Sequence, residues 1–252
     1  MSGRFEDFFS ALEARHRESL SFAEIRRALQ ALSSLYVERR EGLAQGKVFD
    51  GAGKRAAFAL YYGGLHFLLL REIVRALGAC RPAPRQILEL GCGTLATGAA
   101  WAAECEPPPS ILGVDQSGWA LQEARFTLRA LGLSGRLLRA DVDAAPLPGR
   151  EGAVLLAFTA NELAEDTRER LRGRLLLAAR GGSRILVVEP LSRRVAPWWN
   201  GWASEFRAAG GREDEWRFRV ALPATLALLD RATGLDHQEL TARSLWLPGR
   251  TA

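Results

Sequence analysis

The chain has 252 residues, 48% of them hydrophobic and 25% charged, with a formal net charge of +5, a pI near 9.6 and a mean hydropathy of −0.07. That length can bury one substantial core with a small appendage. The composition is that of an ordinary globular enzyme, and no apolar run approaches the roughly 20 residues that span a bilayer. The longest runs, around Leu65–Leu70 and Ile185–Val188, are short and closely followed by charge. The opening Met1-Ser2-Gly3-Arg4-Phe5-Glu6-Asp7 lacks the apolar stretch of a secretory signal, so the expectation is a cytoplasmic protein without a membrane partner.

In chain order, residues 5–46 read as helices, with Phe5, Phe8, Phe9 and Leu12, then Phe22, Ile25, Leu29 and Leu32, at helical spacing. Lys47–Lys54 reads as a loop. A second helical run, Arg55–Leu77, is apolar on most sides and ends at Gly78 before Arg81-Pro82-Ala83-Pro84. After Pro84 the texture changes. Candidate strands Gln86–Leu90, Ile111–Asp115, Gly135–Arg139, Ala153–Phe158 and Arg184–Glu189 alternate with helical segments around Thr97–Glu104, Trp119–Leu131 and Glu165–Ala179. Such alternation predicts an α/β fold with a parallel sheet and helices on both faces. In the tail, Pro197–Ala209 and Pro223–Thr233 are helical, while Glu215–Val220 and His237–Leu247 read as strands. The expected organisation is an N-terminal helical lid or extension over 1–80 and a catalytic domain over 81–252.

Cys80, Cys92 and Cys105 form no C-x-x-C pair, and their odd number argues against a disulfide framework. His16, His66 and His237 are scattered, so no metal site is expected. The positive charge is almost all arginine, interleaved with Glu and Asp along helices, and reads as solvated helix faces more than a nucleic-acid surface.

The first strand and turn read Ile87-Leu88-Glu89-Leu90-Gly91-Cys92-Gly93-Thr94-Leu95-Ala96-Thr97-Gly98. Gly91 and Gly93 lack Cβ atoms, which lets the backbone turn sharply and approach a ligand closely. A Gly-x-Gly turn alone is shared with nicotinamide enzymes. Acids at the ends of three consecutive strands, Glu89, Asp115 and Asp141, add specificity. In an open parallel sheet, ligands sit beyond the carboxyl ends of the strands where strand order reverses. A carboxylate at Asp115 can accept hydrogen bonds from two ribose hydroxyls. Taken singly, Glu89 can be a sheet-edge charge, Asp115 a helix N-cap and Asp141 a turn former.

From Gln86 to Glu189 the chain resembles the class I methyltransferases that depend on S-adenosylmethionine (SAM). The resemblance implies a Rossmann-like class I methyltransferase sheet, SAM as cofactor and S-adenosylhomocysteine as product. It places Glu89 near the methionine amino group, Asp115 on the ribose and Asp141 on the adenine amino group. Gly91, Cys92, Gly93, Gln116, Val142 and Phe158 complete the implied cofactor contacts. One departure is Leu95, where such turns often carry a third glycine; a leucine is expected to need negative φ and to add bulk near the methionine. The neighbouring Gly98 can still permit tight helix–sheet packing. Asn161-Glu162-Leu163, with Glu189-Pro190, also resembles the Rsm22-like methyltransferases linked to the ribosomal small subunit, although this chain has no cysteine after Cys105.

The loop after the fourth strand, Ala157-Phe158-Thr159-Ala160-Asn161-Glu162-Leu163, lacks both an Asn/Asp-Pro-Pro-aromatic grip and a Pro-Cys nucleophile. Asn161 and Glu162 either position an acceptor and take its proton or cap the following helix. Phe58–His66 contains paired tyrosines and two glycines that weaken a helix by roughly 1 kcal/mol each. It either lids the site, with Tyr61, Tyr62 or His66 reaching the ligands, or packs helices closely through its glycine pair. Trp198, Trp199 and Trp202 form a substrate wall, a partner surface or core. The leading expectation is methyl transfer to an oxygen or nitrogen of a small molecule. The alternatives are ribosomal RNA, the ribosome or a protein as acceptor, a non-catalytic module of the same fold, and a nicotinamide dehydrogenase. Glu89 and Asp141 argue against the last.

Overall fold

The structure is a computed structural model that describes residues 2–38, 49–192, 194 and 196–249. The helix expected over 39–46 and the loop residues Lys47 and Val48 lie outside the described residues. The N-terminal helices are α1 (Ser2–Arg17) and α2 (Phe22–Glu38). A capping box starts α2: the Ser21 N–H donates to Glu24 Oε2 at 2.8 Å and the Glu24 N–H to Ser21 Oγ at 3.3 Å. The third helical run begins earlier than its sequence predicts. It comprises α3 (Ala52–Ala57), a π-helical turn (Phe58–Tyr62) and α4 (Gly63–Leu77), closing at Gly78 with φ +62°.

These parts form one continuous helix of 26 residues from Ala52 to Leu77. By length and composition it can cross a bilayer, contrary to the expectation that no run approaches that length. Yet 72% of its most apolar window is buried inside the protein, where it serves as a core helix.

The α/β part follows as β1 (Gln86–Leu90), α5 (Ala96–Glu104), β2 (Ser110–Asp115), α6 (Gly118–Ala130), β3 (Gly135–Arg139), β4 (Gly152–Ala157), α7 (Glu165–Arg180) and β5 (Arg184–Glu189). The tail adds α8 (Trp199–Ala208), β6 (Arg212–Phe218), α9 (Ala224–Ala232) and β7 (Leu240–Leu247). Among the described residues, seven strands lie in the order β3-β2-β1-β4-β5-β7-β6, all parallel except β7, which is antiparallel to both neighbours. Strand order therefore reverses between β1 and β4.

Because side chains alternate along a strand, the sheet feeds two cores. Ile87, Ile111, Leu155, Leu186 and Val188 face α4, α5 and α6, and Phe5, Phe8, Phe9 and Ile25 of the first two helices belong to the same apolar cluster. Leu88, Leu90, Val114, Val154 and Val187 face α7 and α8. Trp199 and Trp202 are fully buried in that second cluster, with Trp198 packed against it, so core is the reading that holds for the tryptophans.

Two long-range links fix the helical layer. Cys80 and Cys105 form a disulfide with Cα atoms 5.0 Å apart, leaving Cys92 as a free buried thiol. This overturns the expectation drawn from the odd cysteine count, because one buried thiol accounts for the remainder. The second link starts in the π-helical turn. Tyr61 donates its hydroxyl to the buried Asp230 at 2.8 Å, and Asp230 also accepts the His237 N–H at 2.6 Å. The Tyr61 hydroxyl is thus committed to α9. Tyr61→Phe, which removes one donor from a buried carboxylate, is expected to cost about 1–3 kcal/mol in urea denaturation. An unchanged midpoint would count against the link.

Candidate functional site

The turn after β1 is shaped by tertiary contacts as much as by its glycines. Gly91 and Gly93 take φ of +67° and +49°. A Cβ at Gly91 would collide with the Thr159 side chain, so the β4 loop, rather than a ligand, occupies that space. At Gly93 the nearest heavy atom to such a Cβ is Phe58 Cε1 at 3.9 Å, and this stretch of backbone is open. Glu89 is buried at the end of β1. Its carboxylate accepts the Thr97 hydroxyl and, at 2.9 Å, the Gly98 N–H. A side chain at 98 would strike that carboxylate, which is the tight packing expected of this glycine. Burial pushes the Glu89 carboxyl up to about 8, against the help of these two donors.

Leu95 corrects an expectation. It takes φ +63° as the residue preceding α5, and its side chain is fully buried. A left-handed leucine costs roughly 1–2 kcal/mol, and packing beneath the turn offsets it. The space comes from Gly113 in β2, where a Cβ would lie 2.8 Å from Leu95 Cδ1 and 3.0 Å from Cys92 Sγ. The leucine therefore adds its bulk to the core.

Asp115 sits half-buried at the end of β2, accepting the Gly93 N–H and the Ser117 N–H, each at 2.8 Å. Ser117, not Asp115, caps α6. Gln116 donates its side-chain amide to Asp141 after β3, and the Arg139 guanidinium donates to the Gln116 carbonyl at 2.9 Å. Asp141 is exposed and Val142 is buried beside it. The Cys92 N–H donates to Val114 O at 2.9 Å, and burial pushes its thiol well above the usual range. The three strand-end acids thus surround one turn in different ways: Glu89 braces it from beneath, Asp115 lies alongside, and Asp141 joins through Gln116.

Above this turn runs the third helical segment. Phe58 lies over Gly93 and meets Trp119 edge-on at 5.8 Å, while Phe49 stands 4.9 Å from Phe58 and 5.1 Å from Trp119. Tyr62 packs against Phe58 and His66, at centroid distances of 5.6 and 6.2 Å. His66 stacks on Phe158 at 3.9 Å with an interplanar angle of 15°. One helical row, Phe58-Tyr62-His66, therefore bridges from the glycine turn to the β4 loop. The glycine pair serves packing as well: a Cβ on Gly63 would meet Thr94 Oγ1 at 3.3 Å. Burial lowers His66 to about 4 and raises Tyr62 to about 12, so both rings are neutral near pH 7.

In the β4 loop Phe158 has φ +57°. Asn161 and Glu162 belong to a 3-10 turn (Ala160–Glu162), and neither caps α7, which begins after Ala164 without a side-chain cap. Asn161 instead donates its side-chain amide and, at 3.3 Å, its backbone N–H to the buried Glu189. Burial pushes Glu189 up to about 8, although Asn161 and Arg243 work against the shift. Glu162 is accessible but sunk among protein atoms, and that desolvation, with the Asp115 charge, raises it to about 7. Sequence reasoning took in Phe58 and Thr159 only as members of their segments and passed over Trp119 and Gly113. Trp119 had a local signal, four residues past Asp115; the others are visible only through contacts distant in sequence.

Two outcomes are expected from this geometry. Gly113→Ala should destabilise the fold by about 1–3 kcal/mol through overpacking, and the loss should shrink in a Leu95→Ala background, as a double-mutant cycle in urea would show. Additive costs would separate the two positions. Glu89, Glu162 and Glu189 all hold protons more tightly folded than unfolded. Their contribution to stability is complete below about pH 4.5 and is lost as the pH rises toward 8. Glu89→Gln should make that decline shallower across the same range; an unaltered slope would exclude Glu89 as a source.

No family model and no curated protein matches the sequence. Solved structures share the fold. The methyltransferase domain of a bacterial Hen1 protein (CtHen1-C) superposes with a TM-score of 0.51 at 15% identity, covering 74% of this chain and 100% of that one. A proposed O-methyltransferase from Nostoc punctiforme gives 0.52 at 16%, covering 75% of this chain. An O-methyltransferase family protein from Burkholderia thailandensis gives 0.52 at 14%, covering 79%. The chain spans only 59% and 60% of the lengths of these last two. With its strand order and its single antiparallel strand, the chain has the Rossmann-like fold of the class I SAM-dependent methyltransferases.

Proposed function

We propose that the chain binds SAM and transfers its methyl group to a small-molecule acceptor. The observation that carries this reading is the set of groups gathered around the glycine turn at the switch between β1 and β4. There the open backbone of Gly93 lies between Asp115 and the Phe58-Tyr62-His66 row. The donor set suits the cofactor. Each Asp115 oxygen accepts one backbone N–H and keeps lone-pair capacity for a pair of vicinal hydroxyls. The Gln116–Asp141 pair offers both a donor and an acceptor to an adenine edge. Glu89, with both oxygens engaged by Thr97 and Gly98, sets the turn.

SAM supplies an electrophilic sulfonium methyl, whose transfer makes a bond from carbon to the acceptor and leaves the sulfur–carbon electron pair on S-adenosylhomocysteine. The protein's part is alignment and exclusion of water. Tyr62, His66 and Phe158 supply apolar ring faces for the acceptor, and Glu162 takes its proton where one must leave. A small molecule is the acceptor favoured by this reading, and the expected location is the cytoplasm.

Calorimetry with SAM and S-adenosylhomocysteine tests the reading. Micromolar binding is expected, weakened about 10- to 100-fold in Asp115→Ala through loss of a charged hydrogen-bond acceptor. Absence of heat with both ligands in protein shown to be folded would overturn it.

A further inference from the structure

We propose that the acceptor is an amine nitrogen, received as an ammonium against the rings of Tyr62, His66 and Phe158 and drawn there by Glu162. This rests on the methyl-transfer reading and names the substrate class for the same site.

Three features carry it. The first is an acidic arc. Glu162 lies within electrostatic reach of Asp115 at the end of β2 and of Glu189 at the end of β5, and its neighbour Asn161 donates to Glu189, so two strand-end carboxyl groups flank the one on the β4 loop. The second is the ring surface on the same β4 loop as Glu162: His66 stacked on Phe158 at 3.9 Å, with Tyr62 next to His66. Aromatic faces with a carboxylate form the usual setting for an alkylammonium. The third is the direction of the neighbouring arginines. Arg168 donates to Leu163 O at 3.1 Å and lies over Trp198. Arg243 reaches the carbonyls of Ser192 and Ala196 and lies over Trp199, while partly offsetting Glu189. Asn161, its amide nitrogen spent on Glu189, keeps Oδ1 buried without a hydrogen-bond partner.

Charge balance then separates nitrogen from oxygen acceptors. An oxygen acceptor that ionises would build an oxyanion beside the Glu162 carboxylate and within reach of the Asp115 charge, which like-charge repulsion opposes. An amine arrives as a cation, and the arc offsets its repulsion from a sulfonium. One ammonium proton passes to the Glu162 carboxylate, freeing the nitrogen lone pair. The nitrogen–carbon bond forms as the sulfur–carbon bond breaks. The product leaves as an N-methylammonium, with one proton released to water per turnover.

The test uses the full chain at saturating S-adenosylhomocysteine and three probes sharing one ring: phenethylamine, 2-phenylethanol and phenylacetate. Phenethylamine is expected to bind about tenfold tighter than the alcohol and phenylacetate weakest, from cation–ring and charge attraction. In Glu162→Gln, also saturated, the amine's advantage should fall to near equality. Equal or tighter binding of the alcohol, binding of none of the three, or an advantage unchanged in Glu162→Gln would each overturn the inference and leave the cofactor reading standing. Failure of the folded protein to take up S-adenosylhomocysteine, measured first, overturns the cofactor reading and this inference with it.

Discussion

The buried Glu89 carboxylate accepts a hydroxyl from Thr97 and an N–H from Gly98, pinning the first turn of α5 to the end of β1. Much of the cleft depends on that pin. It sets the turn in which Gly93 faces outward and donates to Asp115. It also places Gly91 where Thr159 of the β4 loop can lie against it. The two halves of the sheet, on either side of the reversal in strand order, are therefore clamped to each other at their carboxyl ends. A carboxyl held in so dry a place pays for desolvation, which is why its proton affinity rises.

The roof over this clamp belongs to a core helix rather than to a loop. Phe58, Tyr62 and His66 face the strand ends, while Tyr61 and the apolar side chains of α4 hold the same segment to α9, α1 and the sheet. A π-helical turn changes the rotational phase of a helix, and here it begins at Phe58, which lies over the glycine turn, and ends before His66, which meets the β4 loop. The cleft ceiling is thus as stiff as the core itself.

The strands, their order of appearance and the three strand-end acids were readable because each signal is local: apolar runs, a turn, an acid just beyond a strand. The boundaries of β1, β3 and β5 agree with their sequence patterns to the residue. What escaped has partners far along the chain. Leu95 was read from its own backbone preference, whereas its conformation is decided by a gap at Gly113. Asn161 looked like a cap because a helix follows, yet Glu189, 28 residues on, claims its side chain. His66 and Phe158 meet only when the helical layer folds onto the sheet. The cysteine pair was missed because parity says nothing about which thiols end up as neighbours.

The fit of Leu95 into the space above Gly113 carries an implication for recognising kin of this chain. A large residue at one position and none at the other is a reciprocal pair, so the two should co-vary: a glycine at 95 should go with a larger residue at 113. Search patterns that demand a third glycine in the turn will pass over chains built this way. A pattern that accepts any apolar residue there, on condition that the middle of the second strand is small, would collect them.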